Sequence, residues 1–162
     1  MSKIPFSVKQ STTFNPIHSC VYLATDMTTT LENARIGAGN GSGTFNIIYQ
    51  SPSFDMINLN TGIWTIKKKG LYKIDLNLEF EADELSAFLR INNIEYANLT
   101  EAILTHSGQE HFHHLSSSVY AFLEQEDTLY FTITATSSGQ DIFLISSGNN
   151  PYKSWFSVSL AE

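Results

Sequence analysis

Asn58-Leu-Asn-Thr-Gly-Ile-Trp-Thr-Ile-Lys-Lys-Lys-Gly-Leu-Tyr-Lys-Ile-Asp-Leu-Asn-Leu-Glu-Phe80 decides the fold. It reads as a turn at Thr61-Gly62, a short strand Ile63–Ile66, a tight connection Lys67–Gly70 and a long strand Leu71–Phe80. In the long strand Ile74, Leu76, Leu78 and Phe80 alternate with Lys73, Asp75, Asn77 and Glu79. A period of two buries one face of a strand and wets the other. The two strands are expected to form an antiparallel hairpin, with Gly70 supplying a positive φ after three lysines.

Further strands are expected on both sides. Upstream lie Cys20–Thr25 and Phe45–Gln50, separated by Asp26–Gly43. That segment reads mostly as loop and ends in the flexible turn Gly37-Ala-Gly-Asn-Gly-Ser-Gly43. Its best helical stretch, Met27–Ile36, has three consecutive threonines and no apolar stripe. Downstream, Ala87–Ile91 and Ile94–Ala97 flank the turn signal Asn92-Asn93. Then come His111–Leu123, the turn Glu124–Asp127, Thr128–Thr136, Asp141–Ser146 and Ser154–Leu160. About eight to ten short strands with turns between them predict an all-β antiparallel sandwich or jelly roll. Residues 1–18 read as an extended arm, with Ile4, Pro5 and Phe6 as its attachment point, and residues 19–162 as one domain.

Composition narrows the function. The chain has 162 residues, 42% hydrophobic and only 15% charged, with a net charge of −7. That balance argues against nucleic acid as a partner, because phosphate recognition needs a basic face. Cys20 is the single cysteine, so no intrachain disulfide forms; its strand setting predicts a buried, unreactive thiol. No signal-peptide core and no membrane-spanning apolar run appear. The expected site of synthesis and folding is a cytoplasm.

The order of turns and aromatics resembles the globular heads of complement-q-type proteins and the related tumour-necrosis-factor-like jelly rolls. The matching residues are Phe54-Asp55, Asn60-Thr61-Gly62, Trp64 and Gly70-Leu71-Tyr72. Ser118-Val-Tyr-Ala-Phe-Leu123, the acidic turn Glu124–Asp127, Thr128–Ile133 and the final Ser154-Trp-Phe-Ser-Val-Ser-Leu160 complete them. The match spans roughly residues 45–160. The acidic turn lacks the family's glycine, Val158 stands where a glycine is typical, and the sequence contains no collagen repeat. The resemblance implies a homotrimer packed around an axis. One strand also hints at a partner independently, because Tyr120 and Phe122 lie opposite Val119, Ala121 and Leu123. A sandwich strand needs only one buried face, so a second apolar face points to a neighbour. Tyr120, Phe122 and Tyr130 are the expected trimer interface; a cover over a loop within one subunit is the alternative.

Candidate chemistry is sparse. His106, His111, His113 and His114 cluster in sequence, and His111 and His113 share one face of an extended strand. Near a threefold axis they would offer imidazoles to an axial divalent metal or form a pH-sensitive site; exposed polar histidines are the plainer reading. The acidic sets Glu79, Glu81, Asp83, Glu84 and Glu124, Glu126, Asp127 lack the ligand spacing of a calcium loop and read as solvated turns. Gly37–Gly43 lacks the Lys-Ser/Thr ending and following helix of a phosphate loop. No nucleophile elbow occurs. Lys67–Lys69 reads as a solvated turn, and Asn40-Gly-Ser and Asn98-Leu-Thr match glycosylation sequons.

The expected function is therefore non-enzymatic and needs no cofactor: a homotrimeric module on a particle surface. The leading form is a virion structural protein, such as a capsid decoration or fibre head that touches capsid proteins and a host receptor or glycan. A secreted or cell-surface complement-q-like ligand-binding module is the alternative. A jelly-roll metal enzyme using the histidines is the third reading.

Overall fold

The computed structural model describes residues 17–29, 33–52, 55–81, 85–99, 112–135, 142–144 and 153–161. They contain β1 (His18–Leu23), β2 (Met27–Thr29), β3 (Ala34–Arg35), β4 (Phe45–Gln50), β5 (Ile57–Asn58), β6 (Ile63–Thr65) and β7 (Gly70–Glu81). After these come β8 (Leu85–Ile91), β9 (Ile94–Asn98), β10 (Phe112–Leu123), β11 (Thr128–Ala135), β12 (Ile142–Leu144) and β13 (Trp155–Leu160). One 3-10 turn covers Asn40–Ser42.

Two antiparallel sheets form the sandwich. The first has seven strands in the order β2-β12-β7-β13-β1-β4, with β10 pairing the other edge of β7. The second has six in the order β5-β6-β11-β8-β9, with β3 also pairing β11. The expected all-β jelly roll is present. The excess over eight to ten strands comes from two- and three-residue pieces such as β2 and β3, which lie where the sequence reads as loop.

The long strand behaves as its alternation requires. Tyr72, Ile74, Leu76, Leu78 and Phe80 are buried, and Leu71, Lys73, Asp75, Asn77 and Glu79 are half-buried on the outer face. Leu85, Ala87 and Leu89 of β8 and Leu129, Phe131 and Ile133 of β11 are buried in the same core. Four rings join the sheets at the centre. Phe45 and Phe156 come from the first sheet, Trp64 and Phe131 from the second. Their centroids lie 5.7 Å apart for Phe45–Trp64 and Trp64–Phe131, and 5.0 Å for Phe45–Phe156 and Phe131–Phe156. Trp64 Nε1 donates to Ser19 Oγ at 3.0 Å, so the buried indole keeps a partner across the sandwich.

Two expectations about the central stretch fail. β6 and β7 are not a hairpin: β6 pairs β5 and β11, while β7 pairs β10, β12 and β13 in the other sheet. Lys67–Lys69 carry the chain from one sheet to the other. Ile66 is held on the second sheet by its N–H to the Asp127 carbonyl and by its carbonyl from the Glu126 N–H, both 2.8 Å. Tyr72 Oη donates to the Lys68 carbonyl and pins the far side of the crossing. Alternation reports which face is buried, and both pairings bury the same face, so it cannot choose between them. Nor does Gly70 take a positive φ; it opens β7 as a buried residue. Within the central stretch the left-handed glycine is Gly62, at φ 72°.

Other turns match their residues. Asn92 and Asn93 have φ 51° and 67°, the two left-handed positions of a tight hairpin turn between β8 and β9. The Gly37–Gly43 segment is a hydrogen-bonded turn, with Gly37 N–H to Ser42 O and Gly39 N–H to Gly43 O, each 2.9 Å.

Gly62→Ala should be costly. A Cβ there would lie 2.5 Å from the Ile36 carbonyl oxygen at a left-handed backbone. The expected loss is about 2 kcal/mol or more in urea unfolding. Gly41→Ala, whose Cβ meets only the Thr28 carbonyl at 3.8 Å, should stay within about 0.5 kcal/mol.

Candidate functional site

β10 carries the candidate site because of where it sits. It pairs β7 along its whole length, from Phe112↔Glu81 to Leu123↔Gly70. Among the described residues nothing pairs its other edge. Alternation turns Leu115, Ala121 and Leu123 inward, where they are buried. The opposite face presents His114, Ser116, Ser118, Tyr120 and Phe122. Tyr120 is 54% exposed and Phe122 60%.

The last strand of the other sheet extends this surface. On β9, Ile94 is 70% exposed and Tyr96 49%. Tyr96 Oη donates to the Tyr120 carbonyl at 3.1 Å, tying the edge of one sheet to the edge of the other. The same bond shows that the Tyr120 carbonyl points away from β7, so alternate backbone groups of β10 lie on its open edge. Lys69 Nζ sits 5.6 Å from the Phe122 ring centroid and 3.3 Å from Glu124 Oε1, so the patch is apolar with a charged rim. Tyr120 and Phe122 are thus brought together, and Ile94 and Tyr96 join them.

Tyr130 is placed elsewhere. It lies on the outer face of β11, in the other sheet, half-buried. The Arg35 guanidinium sits 5.4 Å over its ring, and its Oη donates to Asn93 Oδ1 at 3.2 Å. Ile4, Pro5, Phe6 and His111 lie outside the described residues. His113 stands opposite Phe80 in the register, and its side chain lies outside the described part of the structure. His114 is on the outer face, its Nε2 3.4 Å from Glu79 Oε1, with Lys153 Nζ 3.6 Å from Glu79 Oε2. Among the described residues no group of three or more His, Cys, Asp or Glu side chains is arranged to hold a metal. The acidic turn serves the fold, since Asp127 Oδ1 accepts from Asn92 Nδ2 at 2.9 Å and Oδ2 from the Glu124 N–H at 2.8 Å.

The outer face of the first sheet continues from β10 across β7, β13 and β1. Asp75 stands opposite Ser118 and Ser157, and Ser157 opposite Cys20. His18 Nε2 meets Ser157 Oγ at 2.8 Å, and its ring lies 5.6 Å from that of Tyr49. Burial holds the His18 imidazole below its ordinary range, against the opposing pull of Asp75. Burial, then the Asp75 charge, pushes the Cys20 thiol up, which makes it a poor nucleophile. Ser157 is itself buried. The row offers no accessible nucleophile with an activating base.

No protein-family model and no curated protein matches the sequence. Solved structures do match its shape. An Eiger tumour necrosis factor from S. frugiperda has a TM-score of 0.67 at 15% identity, covering 92% of this chain and 94% of that one. Murine APRIL gives 0.58 at 8% identity, over 88% and 98%. The globular domain of zebrafish complement 1qA gives 0.58 at 11%, over 89% and 97%. The chain therefore has the tumour-necrosis-factor/complement-q jelly-roll fold. No helix among the described residues is long and apolar enough to cross a membrane.

The depressed His18 fixes the sign of one pH effect. The unfolded chain takes up a proton near the ordinary value of 6.5, whereas the folded chain resists it. His18 therefore costs stability as pH falls below that value and costs none above it. Melting temperature should drop between about pH 7 and 5.5, and His18→Gln should flatten that part of the profile. An unchanged slope would assign the effect to other groups.

Proposed function

We propose that this chain is a non-enzymatic, homotrimeric jelly-roll module that works by binding through its surfaces. One observation carries the reading: Tyr120 and Phe122 stand exposed beside Ile94 and Tyr96 on an edge strand twelve residues long. Monomeric proteins blunt such edges with charge, proline or a covering element. Here the edge is aromatic, as an interface core is. The shared fold with a tumour necrosis factor, APRIL and a complement 1qA domain supports three copies about an axis, with β9 and β10 of each copy packed on its neighbour.

Two settings fit such a module. The finer form proposed is a virion structural protein, a capsid decoration or fibre head that contacts a host receptor or glycan. Its support is the disulfide-free, Ser/Thr/Asn-rich sequence. The second is a secreted or cell-surface ligand-binding module, supported by the company of Eiger, APRIL and complement 1qA in fold. Immunogold labelling of particles purified from the source separates them: gold on particles upholds the first, and gold on cell surfaces with bare particles upholds the second.

The trimer is tested by light scattering behind size exclusion. The expected mass is three times 18.1 kDa. Tyr120→Ser with Phe122→Ser should give the mass of one chain while keeping the β-sheet circular dichroism. A wild-type chain that runs as a folded monomer sinks the proposal.

A further inference from the structure

A second apolar surface lies on the opposite edge of the seven-stranded sheet. From β10 the strands run β7, β13, β1 and β4, so the two edges lie about 19 Å apart. On β4, Ile47, Ile48 and Tyr49 are exposed by 38%, 37% and 45%. Beside them an open groove of about 440 Å³ is walled by Ile47, Ile57 and Leu59 together with Gln50, Asp55 and Lys67. It lies between β4 and β5, the terminal strands of the two sheets. Gln50 Nε2 donates to Asp55 Oδ1 at 3.0 Å. Gln50 Oε1 is buried with no hydrogen-bond partner among the described residues.

The chain enters the fold at this same corner. His18 N–H donates to Ser51 Oγ and Ser51 N–H to the His18 carbonyl, each at 2.9 Å. Ser51 directly follows Gln50. Residues 1–16 contain Lys3 and Lys9 and no acidic residue, in a chain of net charge −7. Their apolar run is Ile4-Pro-Phe6.

We propose that this groove holds the amino-terminal segment of its own chain, with Ile4, Pro5 and Phe6 on the apolar wall and Lys3 or Lys9 toward Asp55. Of the two charged wall residues, Asp55 and Lys67, the carboxylate offers a partner to a lysine of the segment, and the backbone edge of β4 that faces away from β1 offers hydrogen bonds to an extended segment. A random coil as long as the stretch from Phe6 to Ile17 would span about 18 Å on average. That would keep the segment at millimolar effective concentration, well ahead of an unlinked copy.

The test uses the full chain. Natural and ¹⁵N-labelled copies are unfolded together, refolded and treated with a zero-length carbodiimide, and linked peptides are read by mass spectrometry. Links from Lys3 or Lys9 to Asp55 are expected, joining peptides of one isotope. No such link, or links with the isotopes paired at random, overturns the proposal. Ile4→Ser with Phe6→Ser should cut the link yield several-fold and speed amide exchange at Ile47–Gln50 and Ile57–Asn58. Yield and exchange that ignore this substitution reduce the links to a tether effect and reject the docked segment. Native mass in the same samples reports separately on trimer formation.

Discussion

The contact among Phe45, Trp64, Phe131 and Phe156 is the constraint on which the other parts depend. Each sheet supplies two rings, and each ring touches two others. Side chains of this size bury about 150–250 Å² apiece and dominate the free energy of a core. Their packing also dictates backbone elsewhere. A Cβ on Gly37 would lie 2.4 Å from the Phe45 ring, so that turn needs glycine for space as well as for its φ of 80°. Trp64 fixes β6 to the second sheet, which obliges the chain to cross over at Lys67–Lys69 before β7 begins. With the rings in place, β10 is left at one edge of the first sheet and β4 at the other.

Much of this is legible in the sequence, and the failures share one cause. The inward faces of β7, β11 and β13 follow from strict alternation, because a two-residue period needs no knowledge of the partner strand. The Asn92-Asn93 turn follows from residue chemistry, since asparagine tolerates left-handed backbone. The pairing of β6 does not follow, because alternation is blind to which sheet a strand joins. The same blindness groups Tyr130 with Tyr120 and Phe122: all three point outward, but from opposite sheets. Ile94 and Tyr96 escape a sequence reading because a short return strand with mixed residues announces no partner; the five-residue run Ile-Glu-Tyr-Ala-Asn carries only its odd apolar placement as a signal. β2 and β3 are held by pairing with distant strands, Ile142–Leu144 and Thr132-Ile133, which local propensity does not contain.

The outer face of the first sheet is more protected than its polar residues imply. Lys73, Asp75, Asn77 and Glu79 read as solvated positions, yet all are half-buried. Neighbours across the strands close over them: Asn77 Nδ2 donates to the Lys153 carbonyl at 2.9 Å, and Ser116 Oγ donates to Asn77 Oδ1 at 2.6 Å. His18, on the same face, is held below its ordinary range by desolvation. The surface therefore divides into two apolar edges and a polar, partly dehydrated face between them, a division suited to contacts with other chains.

The place of β13 has a consequence for biosynthesis. This last strand stands between β1, the first, and β7, the longest shared spine of the sheet. Until residues 155–160 have been translated, β1 with β4 and β7 with β10 are two separate pieces, unpaired along the edges that β13 fills. The nascent chain must wait for these residues before the seven-stranded sheet can close, and contacts so distant in sequence form slowly. During that wait the exposed strand edges are open to mispairing and to chaperones. A truncation that removes β13 would then take out the seam of the sheet.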